Sequence, residues 1–124
     1  MSLLAREVEA GEALLPVILR DVRVLARRGS YPVATRRFGE LRLEDGRLQR
    51  LEQAAEQTAG PEHASQVRAL AGSRARLLRL ERACAAALER GCCAEYEAAA
   101  DALEQELLTR AELERKLNRS THGR

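Results

Sequence analysis

Residues 60–91 read GPEHASQVRALAGSRARLLRLERACAAALERG, and the punctuation of this stretch decides the fold. Gly60-Pro61 ends what precedes it and starts a helix, since Gly tolerates a helix cap and Pro is favoured in a first helical turn. Gly91 closes it. Between them Leu70, Ser73, Leu77, Leu80, Cys84 and Ala87 recur in alternating steps of three and four, the seam of a coiled-coil-like helix. The spacing predicts a helix over 62–90, roughly 43 Å long at about 1.5 Å per residue.

The same pattern extends on both sides. Downstream, Tyr96, Ala100, Leu103, Leu107 and Leu117 mark the inward side of a helix over 92–117, and residues 119–124 read as a polar, frayed tail. Upstream, Leu4, Val8, Gly11, Leu15, Ile18, Val22 and Leu25 form a third seam over 3–28. Pro16 lies off that seam, so a kink is expected there, with two shorter helices meeting at Pro16 as the alternative. Arg28-Gly29-Ser30-Tyr31-Pro32 is a break. Phe38, Leu41, Leu48 and Leu51 then fit a helix over 34–57 with a weak point at Gly46. Leu41 to Gly46 also suits half of a hairpin with an Asp-Gly turn, but no partner strand follows.

Long helices joined by short links fold back on one another. The chain is therefore expected to be all-α: one domain over 1–118, an antiparallel three-helix bundle of long helices with the first kinked or interrupted. Composition agrees. Of 124 residues 45% are hydrophobic and only 2% aromatic, so the core must be built from Leu, Val, Ile and Ala, of which Leu and Ala are strong helix formers. A sandwich or barrel would want more β-branched and aromatic residues.

Charge narrows the function. Charged residues are 32% of the chain, yet the net charge is +2. Balanced, interspersed signs suit solvated helix faces, whereas a phosphate-binding surface needs clustered cations. No apolar run approaches the length of a membrane span. The opening Met1-Ser2-Leu3-Leu4-Ala5-Arg6-Glu7 acquires acids early, unlike a signal or transit peptide. Neither nucleic acid nor membrane is expected as a partner. Almost every cation is Arg, Lys116 being the only lysine. Arg offers a bidentate fork to carboxylates, although a coding bias explains the preference equally well.

Candidate chemistry is sparse. His63 and His122 have no second His nearby and no Cys-x-x-Cys, so no metal site is expected. Cys84, Cys92 and Cys93 are an odd number with two adjacent, which reads as reduced thiols in a cytosolic setting. Cys92-Cys93 could take up an oxidant or a soft metal, but small apolar fillers at a helix start are the simpler reading. Glu95, Glu97, Asp101, Glu104, Glu106, Glu112 and Glu114 crowd the last helix, where water is available. Neither a nucleophile elbow nor a phosphate-binding Gly loop occurs. No catalytic residue, cofactor or metal ligand is assigned.

Charge is also uneven along the chain. Nine arginines (Arg20, Arg23, Arg27, Arg28, Arg36, Arg37, Arg42, Arg47, Arg50) share residues 20–50 with four acids (Asp21, Glu40, Glu44, Asp45), and the last helix reverses the excess. Either the helices attract one another, or the surface steers an acidic or mixed-charge partner.

Several stretches together resemble the tubulin-binding cofactor A family. They are the break at Gly60-Pro61, the run Gln66-Val67-Arg68-Ala69-Leu70, and Ser73-Arg74 followed by Leu77, Arg82 and Ala86-Ala87. Glu95-Tyr96-Glu97-Ala98-Ala99 is similar to the start of that family's last helix. Ala13-Leu14-Leu15-Pro16-Val17-Ile18-Leu19-Arg20-Asp21 is similar to its apolar run ending in a basic–acidic pair. The match covers about two-thirds of the chain in the right order, and each piece is composed of residues common in any bundle. Gly29 to Gly46 stands as an insertion, and Pro16 replaces an ordinary helix former. The resemblance implies a cytoplasmic, cytoskeleton-associated chaperone that captures a β-tubulin folding intermediate without ATP or cofactor, as a monomer with a dimer as the alternative. The partner is expected on the outward faces of the last two helices, where the resemblance is densest: Arg68, Arg74, Arg76 and Arg79 on one, spaced so that several share its outer side and with Arg74 and Arg76 facing water, and Glu95, Glu97, Asp101 and Glu104 on the other. The competing reading is a coiled-coil structural subunit of a cytosolic tethering or cytoskeletal complex.

Overall fold

The computed structural model describes residues 3–122, which form four helices and, among the described residues, no strand: α1 (Leu3–Arg27), α2 (Tyr31–Glu56), α3 (Ala64–Glu89) and α4 (Cys93–His122). The all-helical expectation holds, but the helix count is four and not three. The reason is local. The N–H of Gly29 bonds to Ala26 O and that of Ser30 to Leu25 O, a Schellman closure with Gly29 at φ +75°. Pro32 then sits in the first turn of α2. What looked like an interruption inside one helix is a full reversal between two. Gly91, at φ +65°, makes the same closure after α3, with Gly91 N–H to Leu88 O and Cys92 N–H to Ala87 O.

The stretch 29–46 is therefore not a break within one helix. From Tyr31 it forms the first turns of α2 and places Ala34, Phe38 and Leu41 in the core, and the helix runs unbroken past Gly46. α1 likewise runs through Pro16 rather than splitting there. Gly60 takes an extended backbone (φ −74°, ψ 168°), the conformation favoured before proline, rather than a left-handed cap, and a 3-10 turn at Pro61–His63 leads into α3. Residues 119–122, expected to fray, continue α4; residues 123 and 124 lie outside the described part.

Cross-helix pairs fix the topology. Asp21 with Arg37, Arg74 with Glu56, Ser73 with Glu106 and Arg23 with Asp101 show each neighbouring pair to be antiparallel. α1 packs on α2 and α4, and α3 on α2 and α4. The result is an up-down-up-down four-helix bundle.

The core has two unlike halves. Near the Gly29 and Gly91 turns it is apolar, built from Leu15, Ile18, Leu19, Val22 and Ala26 of α1 with Phe38, Cys84, Leu88, Tyr96 and Leu103. Phe38 and Tyr96 meet edge to face at 6.3 Å. Small residues Ala34, Ala87 and Ala100 let the helices approach. The α3 seam is inside as the spacing predicted, with Leu80 half-buried. The side chain of Leu4 lies outside the described set. The opposite half of the core is ionic.

Candidate functional site

At the end of the bundle away from the Gly29 turn, charged side chains occupy core positions. Asp45, Glu52 and Glu56 of α2, Arg74 and Glu81 of α3, and Arg110 and Glu114 of α4 are buried among Leu48, Leu70, Leu77 and Leu117. Arg110 is 1% exposed; its Nη1 donates to Asp45 and its Nε lies 3.6 Å from Glu52. Arg74 grips Glu56 in a bidentate pair at 2.6 and 2.8 Å. Gln49 donates to Asp45 at 3.0 Å. From α1, half-buried Glu12 adds its charge to the same layer.

Two guanidinium groups cannot balance six carboxyl groups in a low dielectric, so protons must make up part of the difference. Burial pushes Glu81 up to about 9, helped by its hydrogen bond to Asp45. Burial likewise raises Glu52 to about 8 and Glu114 to about 7, against the opposing charge of Arg110. Asp45 goes the other way. Burial disfavours its charge, but hydrogen bonds from Glu81, Arg110 and Gln49 together with the Arg110 charge hold it below the ordinary carboxylate value. Glu81 is thus the protonated donor and Asp45 the anion, with Arg42 at the rim 3.8 Å from Glu81. Buried atoms lacking a hydrogen-bond partner include both Glu52 oxygens and Glu114 Oε1. No three His, Cys, Asp or Glu side chains among the described residues converge to hold a metal ion.

This layer was missed in the sequence because charged residues interrupt the seams. Arg110 and Glu114 fill the steps between Leu107 and Leu117; Asp45 fills the gap between Leu41 and Leu48; Glu81 falls between Leu77 and Cys84. An unbroken three-four rhythm that includes those charges would have found it.

The eight residues assigned to a partner fare differently. Arg74 does not face water: it is held inside by Glu56 because its long stem crosses the α2–α3 interface. Arg68 and Arg79 are exposed. Arg76 is half-exposed and bonds Glu106 at 2.9 Å, and Ser73 donates to the same carboxylate at 2.7 Å. Burial disfavours charge on Glu106, but these two donors outweigh it and keep it below its usual range. On α4, Asp101 and Glu104 pair with Arg23 at 2.9 and 3.7 Å, Glu97 pairs with Arg27, and Glu95 with Arg90. Of the nine arginines over residues 20–50, Arg23 and Arg27 are thus used between α1 and α4.

The remaining feature is apolar. Of seven large hydrophobic side chains left exposed among the described residues, Leu14, Val17, Val24, Val33 and Leu43 lie on α1 and α2, against Leu78 on α3 and Leu108 on α4. Val24, Leu25 and Val33 line an open concavity with Asp21, Arg36, Arg37 and Glu40. Cys84 is buried, and burial raises its thiol to about 12; Cys92 and Cys93 are half-buried at the start of α4. His63 lies beside a second concavity formed by the Thr58–Gly60 turn and the end of α4.

Fold and site together define an antiparallel four-helix bundle with an ionic layer across one half of its core and five exposed Leu and Val side chains on α1 and α2. No family model, curated protein or solved structure matches the chain. No helix among the described residues is long and apolar enough to cross a membrane.

Proposed function

We propose that the chain is a non-catalytic module that holds a partner protein against the outer face of α1 and α2. The observation that carries this reading is the concentration of exposed Leu and Val on that face. Scattered exposed apolar residues are ordinary, but a contiguous group with a charged border marks an interaction surface. The face lies on two helices clamped to the rest of the bundle, so little ordering cost accompanies binding. The buried ionic layer is enclosed and serves the frame.

β-Tubulin is the partner that the resemblance supplies, and its capture without ATP is the particular form of the proposal. The resemblance rests on α3, the start of α4 and the Ala13–Asp21 run, of which Leu14 and Val17 belong to the exposed set. The docking face is placed on α1–α2 rather than α3–α4 because three of the four α4 acids assigned to the partner are already paired with α1.

The test is site-specific photocrosslinking with the full chain, the crosslinker replacing Val24 or, as control, Leu108. It is performed with purified tubulin and with cell extract. Protein adducts from Val24 and not from Leu108 are expected, tubulin among them. No protein adduct from Val24 overturns the module reading. Adducts to other proteins without tubulin overturn the tubulin assignment alone.

A further inference from the structure

We infer that the groove between α1 and α2 seats an acidic amphipathic helix of the partner protein. This rests on the proposal that the α1–α2 face is the docking face, and adds what the face recognises.

The apolar positions form two rows. On α1, Leu14, Val17 and Val24 are spaced three and seven apart, which places them on one outward side; on α2, Val33 and Leu43 are ten apart and also outward. The helices are antiparallel, with Asp21 bonded to Arg37 midway. Val24 therefore lies beside Val33 at the turn end, and Leu14 lies level with Leu43 at the other. Ten residues of rise separate the ends, roughly 15 Å, or about three turns of an occupying helix. A third helix laid between two packed helices fits its side-chain ridge into their groove, and the recognised segment presents apolar residues at i, i+3, i+4 and i+7.

Charge selects the sign of the occupant. Along this stretch the groove holds the acids Asp21 and Glu40, both bonded by Arg37, and at its Leu43 end Glu44, bonded by Arg47. Arg28 follows Val24 by one turn, Arg20 precedes it by one, and Arg36 lines the concavity. None of these three has an ion-pair partner among the described residues. Uncompensated guanidinium groups beside an apolar row fit carboxylates flanking an apolar stripe. The same excess disfavours a second copy in face-to-face contact, since arginine would meet arginine. A lipid surface fits less well: the exposed apolar residues are Val and Leu, with no Trp in the chain to anchor at an interface.

The experiment uses the full chain and two labelled helical peptides of about 18 residues, roughly five turns, with identical apolar positions and flanking Glu in one, Lys in the other. Fluorescence anisotropy should show the acidic peptide binding at least about tenfold more tightly than the basic one, with affinity falling as salt rises. Val17→Asn with Val24→Asn, and separately Arg28→Glu with Arg36→Glu, should each weaken binding about tenfold or more while the thermal melt stays near that of the parent. Equal affinity for both peptides, no binding of the acidic peptide, or undiminished binding by either folded variant overturns the inference. So does partition onto anionic vesicles that is lost in the valine variant, which would make the face a membrane surface. Dimerisation in sedimentation, abolished by the same variant, would make it a self-contact. If Val24 crosslinks protein while the acidic peptide fails, the helix assignment falls and the docking face stands.

Discussion

The ionic layer makes the bundle's stability depend on pH in a direction opposite to that of a protein held by exposed carboxylates. Glu81 keeps its proton in the folded chain up to about 9, because it is buried and donates to Asp45; its ordinary value is 4.5. Around it stand Asp45 and Arg42 from α2 and Arg110 from α4, and beyond Arg110 lie Glu52, Glu114 and, from α1, Glu12. A carboxyl group raised on folding binds more protons in the native state than in the unfolded one. Its stabilising effect is complete below the unfolded value and is lost as pH climbs towards the folded one. One retained proton is worth about 1.4 kcal/mol per pH unit. Between pH 6 and 8 Glu81 alone thus removes about 3 kcal/mol, a large part of an ordinary domain's 5–15 kcal/mol. Glu52, raised to about 8, acts in the same direction. Asp45, held low, acts oppositely and loses its contribution only in stronger acid, so maximal stability falls near pH 5. Urea melts followed by helical circular dichroism at pH 5, 6, 7 and 8 measure this. The midpoint should fall by roughly 1–2 M from pH 6 to 8, at slopes usual for small proteins. Glu81→Gln keeps a donor towards Asp45 without a titrating proton, and should flatten the dependence. A midpoint that is level or rising over that range, or an unchanged slope in Glu81→Gln, refutes the reasoning.

Two further outcomes follow from the same geometry. Arg74→Glu strands Glu56 and sets a like charge against it, and should lower stability by about 3 kcal/mol in denaturant melts, whereas Arg76→Glu, at a half-exposed site whose partner Glu106 keeps the Ser73 donor, should cost clearly less. A thiol reagent under native conditions should modify Cys92 and Cys93 well before Cys84, whose thiol is buried and raised to about 12; mass mapping of the labelled cysteines checks the order.

Of the candidate interaction surface, little was legible in advance. The sequence marked arginine excess over residues 20–50 but not which arginines were already paired, since that depends on which helix lies alongside. Arg23 and Arg27 look like Arg20 and Arg28 in the chain, yet the first two meet Asp101 and Glu97 across the α1–α4 interface. Leu14, Val17 and Val24 read as ordinary apolar helix residues; only the packing of Leu15, Ile18 and Val22 inward shows that they are left outside.

By itself the sequence determined that this chain is helical, where its two later helices run, and that Cys84 and Tyr96 point inward. Those features follow from local propensity and from a three-four rhythm that any helix must obey. The number of helices lay with a few backbone hydrogen bonds at Gly29, where a reversal and an interruption look alike in one dimension. The inward placement of Arg74, Arg110, Asp45, Glu52 and Glu81 was decided only by tertiary structure. A lone charge at a core position is unfavourable, and it becomes tenable only when another helix delivers a counter-charge or a proton to it.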